Sequence, residues 1–248
     1  MNRHIEIPKR LLDKLSNSRG EKDWLIKVEQ VNQNIADYFY RTPYFFPEYT
    51  DHGVLHIQKV LDICNKLIPD NSLGELSPKE VGVLIISIMI HDIGMFIHKD
   101  GVIELIYGSL KKTKIEFLDT DTWEQVWKDY VLSVKRYSDK KLMRIFGNSE
   151  PIQFGDIQMD NLREQDILLY GDFLRQNHGR LAHTIVKEGF LGKETIDIFR
   201  NVNLDESIKD IIGLIARSHC IPLRDCREFL NNSFLDTPLY KFYRKNAV

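Results

Sequence analysis

Apolar residues recur at three- and four-residue steps along most of the chain, which is the periodicity of amphipathic helices. The apolar positions of the first two such segments, about 21–40 and 53–68, are Trp24, Val28, Val31, Ile35 and Tyr38, then Val54, Ile57, Leu61, Cys64 and Ile68. Helical patterning returns at about 163–176, 179–189 and 205–219, and the inner face of the last is marked by Ile208, Ile211, Ile212 and Ile215. Alternating strand patterns are scarce, so the pattern predicts an all-α fold.

One helix is predicted to lie at the centre of this fold. It begins with a capping signal, because Ser77 is followed by Pro78 at the first helical position and by Glu80 three residues after the cap. The stretch VGVLIISIMI, residues 81–90, is apolar almost all round. It is about half the roughly 20 residues that a membrane-spanning helix needs, so we expect a buried helix and no membrane segment.

Residues 101–165 differ from the rest. They contain Trp123 and Trp127, many charges, and the helix breakers Gly147, Pro151 and Gly155. We expect a few short helices inserted before the next long one. The insert could cover a pocket as a lid, or it could stabilise the fold or form an interaction surface.

The composition limits the class of protein. With 248 residues, 43% of them hydrophobic, the chain suits one large domain or two small ones. A net charge of −2, without a run of Lys or Arg, argues against a partner that is nucleic acid or an acidic membrane. Cys64, Cys220 and Cys226 lack zinc-type spacing and predict reduced thiols. The N-terminal MNRHIEIPKR has no apolar region of a secretory signal, so we expect a cytoplasmic protein.

His91 and Asp92 follow the apolar run directly. A buried, unpaired carboxylate costs several kcal/mol or shifts its pKa until it is neutral. A lysine could compensate for the carboxylate, but the nearest one, Lys99, is seven residues further on. A metal cation would supply more positive charge directly at the doublet. Adjacent residues point about 100° apart on a helix, but both side chains can reach one ion at a helix end. Gly94 would allow a neighbouring helix or a ligand to approach closely.

Other histidines could complete such a site. His52 and His56 are four residues apart and share a helix face if the helix begins early enough. His178 and His183 are five apart, about 140° around a helix, so at most one of them is a first-choice ligand. His219 ends the last apolar helix. Histidine with carboxylate suits Mn, Fe, Zn, Ni or Co. The alternative is that each histidine is an ordinary core or surface residue.

Four motifs in this order resemble the HD-domain superfamily of metal-dependent phosphohydrolases. They are HIQKVL at His56, HDIGMF at His91, FLRQNHGRLAHTIVKEG from Phe173, and IARSHC ending at Cys220. They look most like the HD domains fused to Hsp90-type ATPase modules in large bacterial proteins. The resemblance spans about Tyr49 to Cys220. It implies one HD-type helical bundle over residues 1–248, with a core at about 49–100 and 163–230 and a mostly helical insert at about 101–165.

The resemblance also implies site residues. His56, His91 and Asp92 would be metal ligands, and Asp92 could bridge two ions. His178 and His219 would complete a second metal position, and His183 would be a ligand or the partner of one. His52 would line the pocket. The cofactor would be one or two divalent ions, of Mn, Fe, Mg, Zn, Ni or Co.

The implied reaction is hydrolysis of a phosphate ester, in a nucleotide or another small phosphorylated ligand. Asp92 would anchor the ions and orient water, while Arg175 and Arg180 would stabilise phosphate charge; the alternative for both arginines is a solvated helix face. Single-stranded nucleic acid is disfavoured as a substrate by the charge balance.

One departure from the family keeps a second hypothesis open. The family usually carries a late aspartate in a pattern like LRxAD, and neither Asp225 nor Asp236 has that context. The final YRKNAV resembles the start of such a helix, so we expect a fragment of a longer protein. The second hypothesis is a weakly active or inactive HD fold that binds nucleotide or metal and regulates a fused or partner domain.

Overall fold

The computed structural model describes residues 4–16, 23–39, 43–46, 52–116, 118–150, 152, 162–189, 192 and 197–222. These residues form ten α-helices and no strand, and 70% of them are helical. The predicted all-α class is confirmed. Cys226, Asp225, Asp236, Pro151, Gly155 and the final YRKNAV lie outside the described residues, so the predictions that concern them stay predictions.

The helices are named in chain order. They are α1 (Lys9–Ser16), α2 (Asp23–Phe39), α3 (Val54–Leu67), α4 (Asp70–Glu75), α5 (Pro78–Ile90), α6 (Lys99–Ile106), α7 (Trp123–Val134), α8 (Asp139–Phe146), α9 (Glu164–Glu188) and α10 (Glu206–Ser218). Two short 3₁₀ turns lie between them, at Ile93–Phe96 and Ser109–Lys112.

Helix α5 is the central element, as its apolar sequence predicts. It contacts α1, α2, α3 and α10, and residues on all its sides are buried. The predicted start is also confirmed, because Ser77 and Glu80 form a reciprocal capping box with Pro78 at the first position. Inside the helix, the Ser87 hydroxyl contacts two backbone carbonyls, Val83 O at 2.7 Å and Ile212 O of α10 at 3.3 Å. This contact ties together two helices that both end at the site described below.

The chain bends at the end of α5. His91 is still helical, but Asp92 leaves the helix with φ −102° and ψ 9°, and the turn Ile93–Phe96 follows at once. This break lets the side chains of His91 and Asp92 converge, although neighbouring residues on a continuous helix would point about 100° apart.

Two separate helices predicted at 163–176 and 179–189 are wrong, because α9 is one helix of 25 residues. Gly179, inside this continuous helix, allows close packing of α10. A Cβ atom placed on Gly179 would lie 3.1 Å from the carbonyl oxygen of Arg217. Glycine is tolerated inside a helix when neighbouring packing compensates for its lower propensity.

The insert folds as short helices, α6 to α8, that cover α9. The ring of Trp127 stacks on Tyr170 with 5.1 Å between centroids, and Trp123 Nε1 donates to Thr184 Oγ1 at 3.3 Å. Both tryptophans are buried. These contacts support the hypothesis that the insert stabilises the fold.

No single helix in the described part of the chain is long and apolar enough to cross a membrane. Residues Pro78–Phe96 and Lys99–Ile106 together satisfy the length and composition criteria, but they are bent by 90°.

Candidate metal centre

Five imidazole rings, one carboxylate and one thiol meet beside the ends of the central helices. His52 comes just before α3, His56 from its first turn, His91 and Asp92 from the end of α5, His178 from α9, and His219 and Cys220 from the end of α10. Each of these helices buries an apolar face in the core, so rigid elements hold the polar groups in place.

The Asp92 carboxylate lies at the centre of this cluster and is 4% exposed. Three imidazole nitrogens lie near its Oδ2 atom: His52 Nδ1 at 3.0 Å, His56 Nε2 at 3.2 Å and His91 Nε2 at 3.0 Å. The nitrogens of His56 and His91 are 3.2 Å apart. We call this group of four donor atoms the first position.

The other carboxylate oxygen of Asp92, Oδ1, faces a second group. His178 Nε2 and His219 Nε2 are each 3.4 Å from it and 2.8 Å from one another. Cys220 Sγ lies 3.2 Å from both of these nitrogens. We call this group the second position, and Asp92 joins it to the first.

Backbone carbonyls orient the imidazole rings. The Nδ1 atoms of His91, His178 and His219 each bond to the carbonyl oxygen three residues earlier in the chain, at 2.7 Å for the first two. A neutral imidazole that donates from Nδ1 has its lone pair on Nε2. When these rings are neutral, the three Nε2 atoms that face Asp92 have lone pairs that can bind a cation, which is how metal-binding histidines are usually fixed.

The electrostatics of the cluster favour positive charge. Burial raises the pKa of Asp92, but hydrogen bonds from His219, His91 and His52 outweigh burial and hold that pKa far below its usual range. The carboxylate is therefore charged at every ordinary pH. The C-terminal ends of α5 and α10 also lie here, and a helix C-terminus stabilises a nearby cation by about 0.3–1 kcal/mol.

The donor atoms fit a metal ion in chemistry and in spacing. Two nitrogen ligands bound tetrahedrally at the usual zinc–nitrogen distance lie about 3.3 Å from one another. The donor atoms of the two positions are separated by 2.8–3.4 Å where they approach closely. Two sets, His52 with His56 and Asp92, and His178 with His219 and Cys220, each keep their ligand atoms within 4.8 Å. Both could hold a metal ion.

Comparison with known proteins gives the family. Residues 46–244 match the family HD-CE, which is most of the 248-residue chain. The chain belongs to the HD-CE family. It therefore contains an HD-type domain, as the motif resemblance implies. No curated protein and no solved structure matches the chain.

We expect metal binding by this HD-CE protein to release protons at pH 7. Burial lowers the pKa of His219, but hydrogen bonds with Asp92 and Cys220 outweigh burial and raise it to about 10 in the metal-free protein. An ion must displace that proton, because a ligand nitrogen has to be deprotonated. The affinity should therefore rise with pH, by up to about tenfold per unit for one proton, between about pH 6 and pH 9. Titration calorimetry in buffers of different ionisation enthalpy counts the protons, and a pH-independent affinity would contradict the assignment.

The structure does not bring His183, predicted to be a ligand or the partner of one, into the cluster. Its ring is completely buried between α9 and α10, where Nε2 lies 3.1 Å from Asp210 Oδ1. A Cβ atom on Gly213 would lie only 2.2 Å from the His183 ring, so the two helices are in close contact. His183 lies five residues after His178, so its side chain points about 140° away from that of His178 around α9. There it meets α10.

The two arginines predicted to be catalytic both contact other groups of the protein. Arg175 Nη2 bonds to Asp172 Oδ1 at 2.7 Å, and its side chain is 42% exposed. Arg180 donates to the carbonyl oxygen of Asp121 at 2.6 Å and lies 4.5 Å from the Trp123 ring centroid. Both arginines therefore have partners within the protein, and Arg175 also lines a pocket that is described under the proposed function.

A carboxylate of the insert connects the helices that carry the second position. Asp119 accepts from Arg217 Nη2 at 2.7 Å, and its Oδ2 lies 3.3 Å from Arg180 Nε. Arg180 is two residues after His178, and Arg217 is two residues before His219. The Asp119 side chain is almost fully buried, so this contact fixes the spacing between α9 and α10 beside His178 and His219.

Two members of the cluster have a larger role than the sequence suggests. His52 is predicted only to line the pocket, whereas its Nδ1 atom contacts Asp92 at the same distance as His91 does. The four-residue spacing from His56 is the signal that pointed to it. Cys220 was judged only by its spacing from other cysteines, whereas its position directly after His219 is the signal that would have found it.

Proposed function

We propose that this HD-CE protein is a metal-dependent phosphohydrolase that acts on a nucleotide or another small phosphate ester. The observation that carries the proposal is the Asp92 carboxylate, which presents one oxygen to three histidine nitrogens and the other oxygen to two. A bridging carboxylate between two nitrogen-rich groups is an arrangement suited to two-metal hydrolysis.

A divalent ion held in these positions would supply an activated water and neutralise charge on a phosphoryl group. Asp92 has the central part, because it is charged, buried and shared by both positions. His91 and His178 hold their Nε2 atoms toward it through their bonds to backbone carbonyls. The excess of nitrogen donors favours Fe, Co, Ni or Zn over Mg, which prefers oxygen.

A pocket next to α9 supports a small phosphorylated substrate. Its volume is about 420 Å³, within the range of about 300–1,000 Å³ common for small-molecule sites. Aromatic rings of Phe45 and Phe46 line it together with the cationic side chains of Arg144 and Arg175. Arg175, which lines the pocket, lies three residues before His178 on α9, about 4.5 Å along the helix axis. Apolar and cationic walls suit an organic group that carries phosphate.

A second candidate function is a regulatory module that binds a nucleotide or metal without hydrolysis. It is favoured by the pairing of both predicted catalytic arginines with carboxylates, Arg175 with Asp172 and Arg180 with Asp119. Fusion to an Hsp90-type ATPase module, and a cytoplasmic location, remain predictions that rest on the sequence.

Assays of metal-reconstituted protein test the function. After chelation and reloading with Mn²⁺, Co²⁺ or Zn²⁺ in separate samples, we expect phosphate release from at least one member of a panel of nucleotides and small phosphate esters. His56→Ala should abolish it. His98→Ala is the matched control, because His98 is exposed and its ring contacts Asp100 and Tyr44 instead of the cluster.

Two outcomes would change the conclusion. A metal-loaded protein without turnover on any member of the panel would argue against a phosphohydrolase. If nucleotide binding then survives His91→Ala, the regulatory module is the better description.

A further inference from the structure

Cys220 occupies a place where a thiol can reach the metal centre. After α10, the backbone N–H of Cys220 donates to the carbonyl oxygen of Arg217 at 3.2 Å, so the chain turns tightly and keeps the side chain beside His219. Space for the thiol comes from α9, since a Cβ atom on Gly179 would lie 2.8 Å from Cys220 Sγ. The sulfur therefore lies in a gap that Gly179, the residue directly after His178, leaves open.

The sulfur completes a set of four donors. It is 3.2 Å from His178 Nε2 and 3.2 Å from His219 Nε2, and both nitrogens are 3.4 Å from Asp92 Oδ1. Four donor atoms of these types are the number that zinc usually binds. The first position also has four donors, but they are three imidazole nitrogens and one carboxylate oxygen.

We propose that Cys220 is a metal ligand and that the centre consists of two unlike positions, of which only the second contains sulfur. This inference rests on the proposed metal-dependent function. Thiolate favours borderline and soft ions, so the second position should select Zn²⁺ or Co²⁺ over Mn²⁺ and Mg²⁺. The first position accepts a wider range of divalent ions, because it has only nitrogen and oxygen donors.

The two kinds of donor are distinguished by cobalt spectroscopy. Thiolate bound to Co²⁺ gives a ligand-to-metal charge-transfer band in the near ultraviolet, which imidazole and carboxylate do not give. Titration of the metal-free protein with Co²⁺ alone, without substrate, should produce this band as the second position fills. Cys220→Ser should remove the band and lower the affinity of that position by more than the roughly 10–100-fold that follows the loss of an outer partner.

Two further variants test which cysteine supplies the sulfur ligand. Cys64→Ser should keep the band, because Cys64 lies on α3 and belongs to neither group of candidate metal ligands among the described residues. Cys226 is present in both cysteine variants, so it cannot account for a difference between them. His56→Ala should bind one Co²⁺ fewer, because its first position is impaired, but it should keep the band. A retained band shows that this variant still folds.

The outcomes separate this inference from the proposed function. A band that persists in Cys220→Ser, or wild-type protein that binds two Co²⁺ without a band, would overturn the role of Cys220 and leave the phosphohydrolase intact. A normal band without turnover on any substrate would argue against the phosphohydrolase alone. Wild-type protein that binds no Co²⁺ would overturn both.

Discussion

Replacing Asp92 with asparagine is expected to release metal from both positions and to lower turnover by about a thousandfold or more, since metal ions supply several kcal/mol of transition-state stabilisation. Asparagine has nearly the same volume but no charge, and one of its two terminal atoms is a hydrogen-bond donor. Both carboxylate oxygens of Asp92 face imidazole nitrogens, so neither metal position would survive intact. Elemental analysis after dialysis measures the loss.

Asp210→Asn is the matched control for this prediction. Asp210 also pairs with a histidine, His183, but it lies outside the cluster and is 28% exposed. We expect it to keep its metal and its turnover. In the metal-free protein, Asp92→Asn should also lower the pKa of His219 from about 10, because the carboxylate that raises it is gone. Imidazole resonances in NMR titrations report that change. Metal content equal in both variants would contradict a bridging role for Asp92.

The parts of this fold that depend on local pattern could be predicted from the sequence. The start of α5 follows from Ser77, Pro78 and Glu80, and its central position follows from a surface that is apolar on every side. The convergence of His91 and Asp92 was also foreseeable, because a charged doublet after such a helix needs a compensating ion. These inferences use neighbouring residues only, and neighbouring residues determine capping and burial.

The parts that depend on a partner in another helix could not be predicted. The sequence pattern divides α9 into two helices near Gly179, because nothing in that segment shows that Arg217 packs against the glycine. His183 matches a family motif, yet its ring is paired with Asp210, 27 residues further along. Spacing on one helix gives the direction of a side chain but not the neighbour that it meets. For the same reason, the position of Arg180 beside His178 in the sequence does not reveal its pairing with Asp119.

Replacing Gly94 with alanine is expected to weaken the second metal position about tenfold or more and to lower the free energy of unfolding by about 1–3 kcal/mol. Gly94 lies in the turn directly after Asp92. A Cβ atom there would be 2.9 Å from the carbonyl oxygen of His178 and 3.2 Å from Leu181. A backbone oxygen cannot move aside as a flexible side chain can, so α9 would shift and carry His178 away from Asp92.

Gly74→Ala is the control for the same chemical change. Gly74 lies in α4, where an added Cβ meets nothing within 4 Å. Alanine there should raise the free energy of unfolding by about 0.4–1 kcal/mol, because it restricts the unfolded chain. Urea unfolding and Co²⁺ titration of both variants provide the comparison. If Gly94→Ala binds Co²⁺ at the second position as tightly as Gly74→Ala does, then close contact between the Asp92 turn and α9 does not set the ligand spacing. The rigidity of that contact would in that case matter to stability alone.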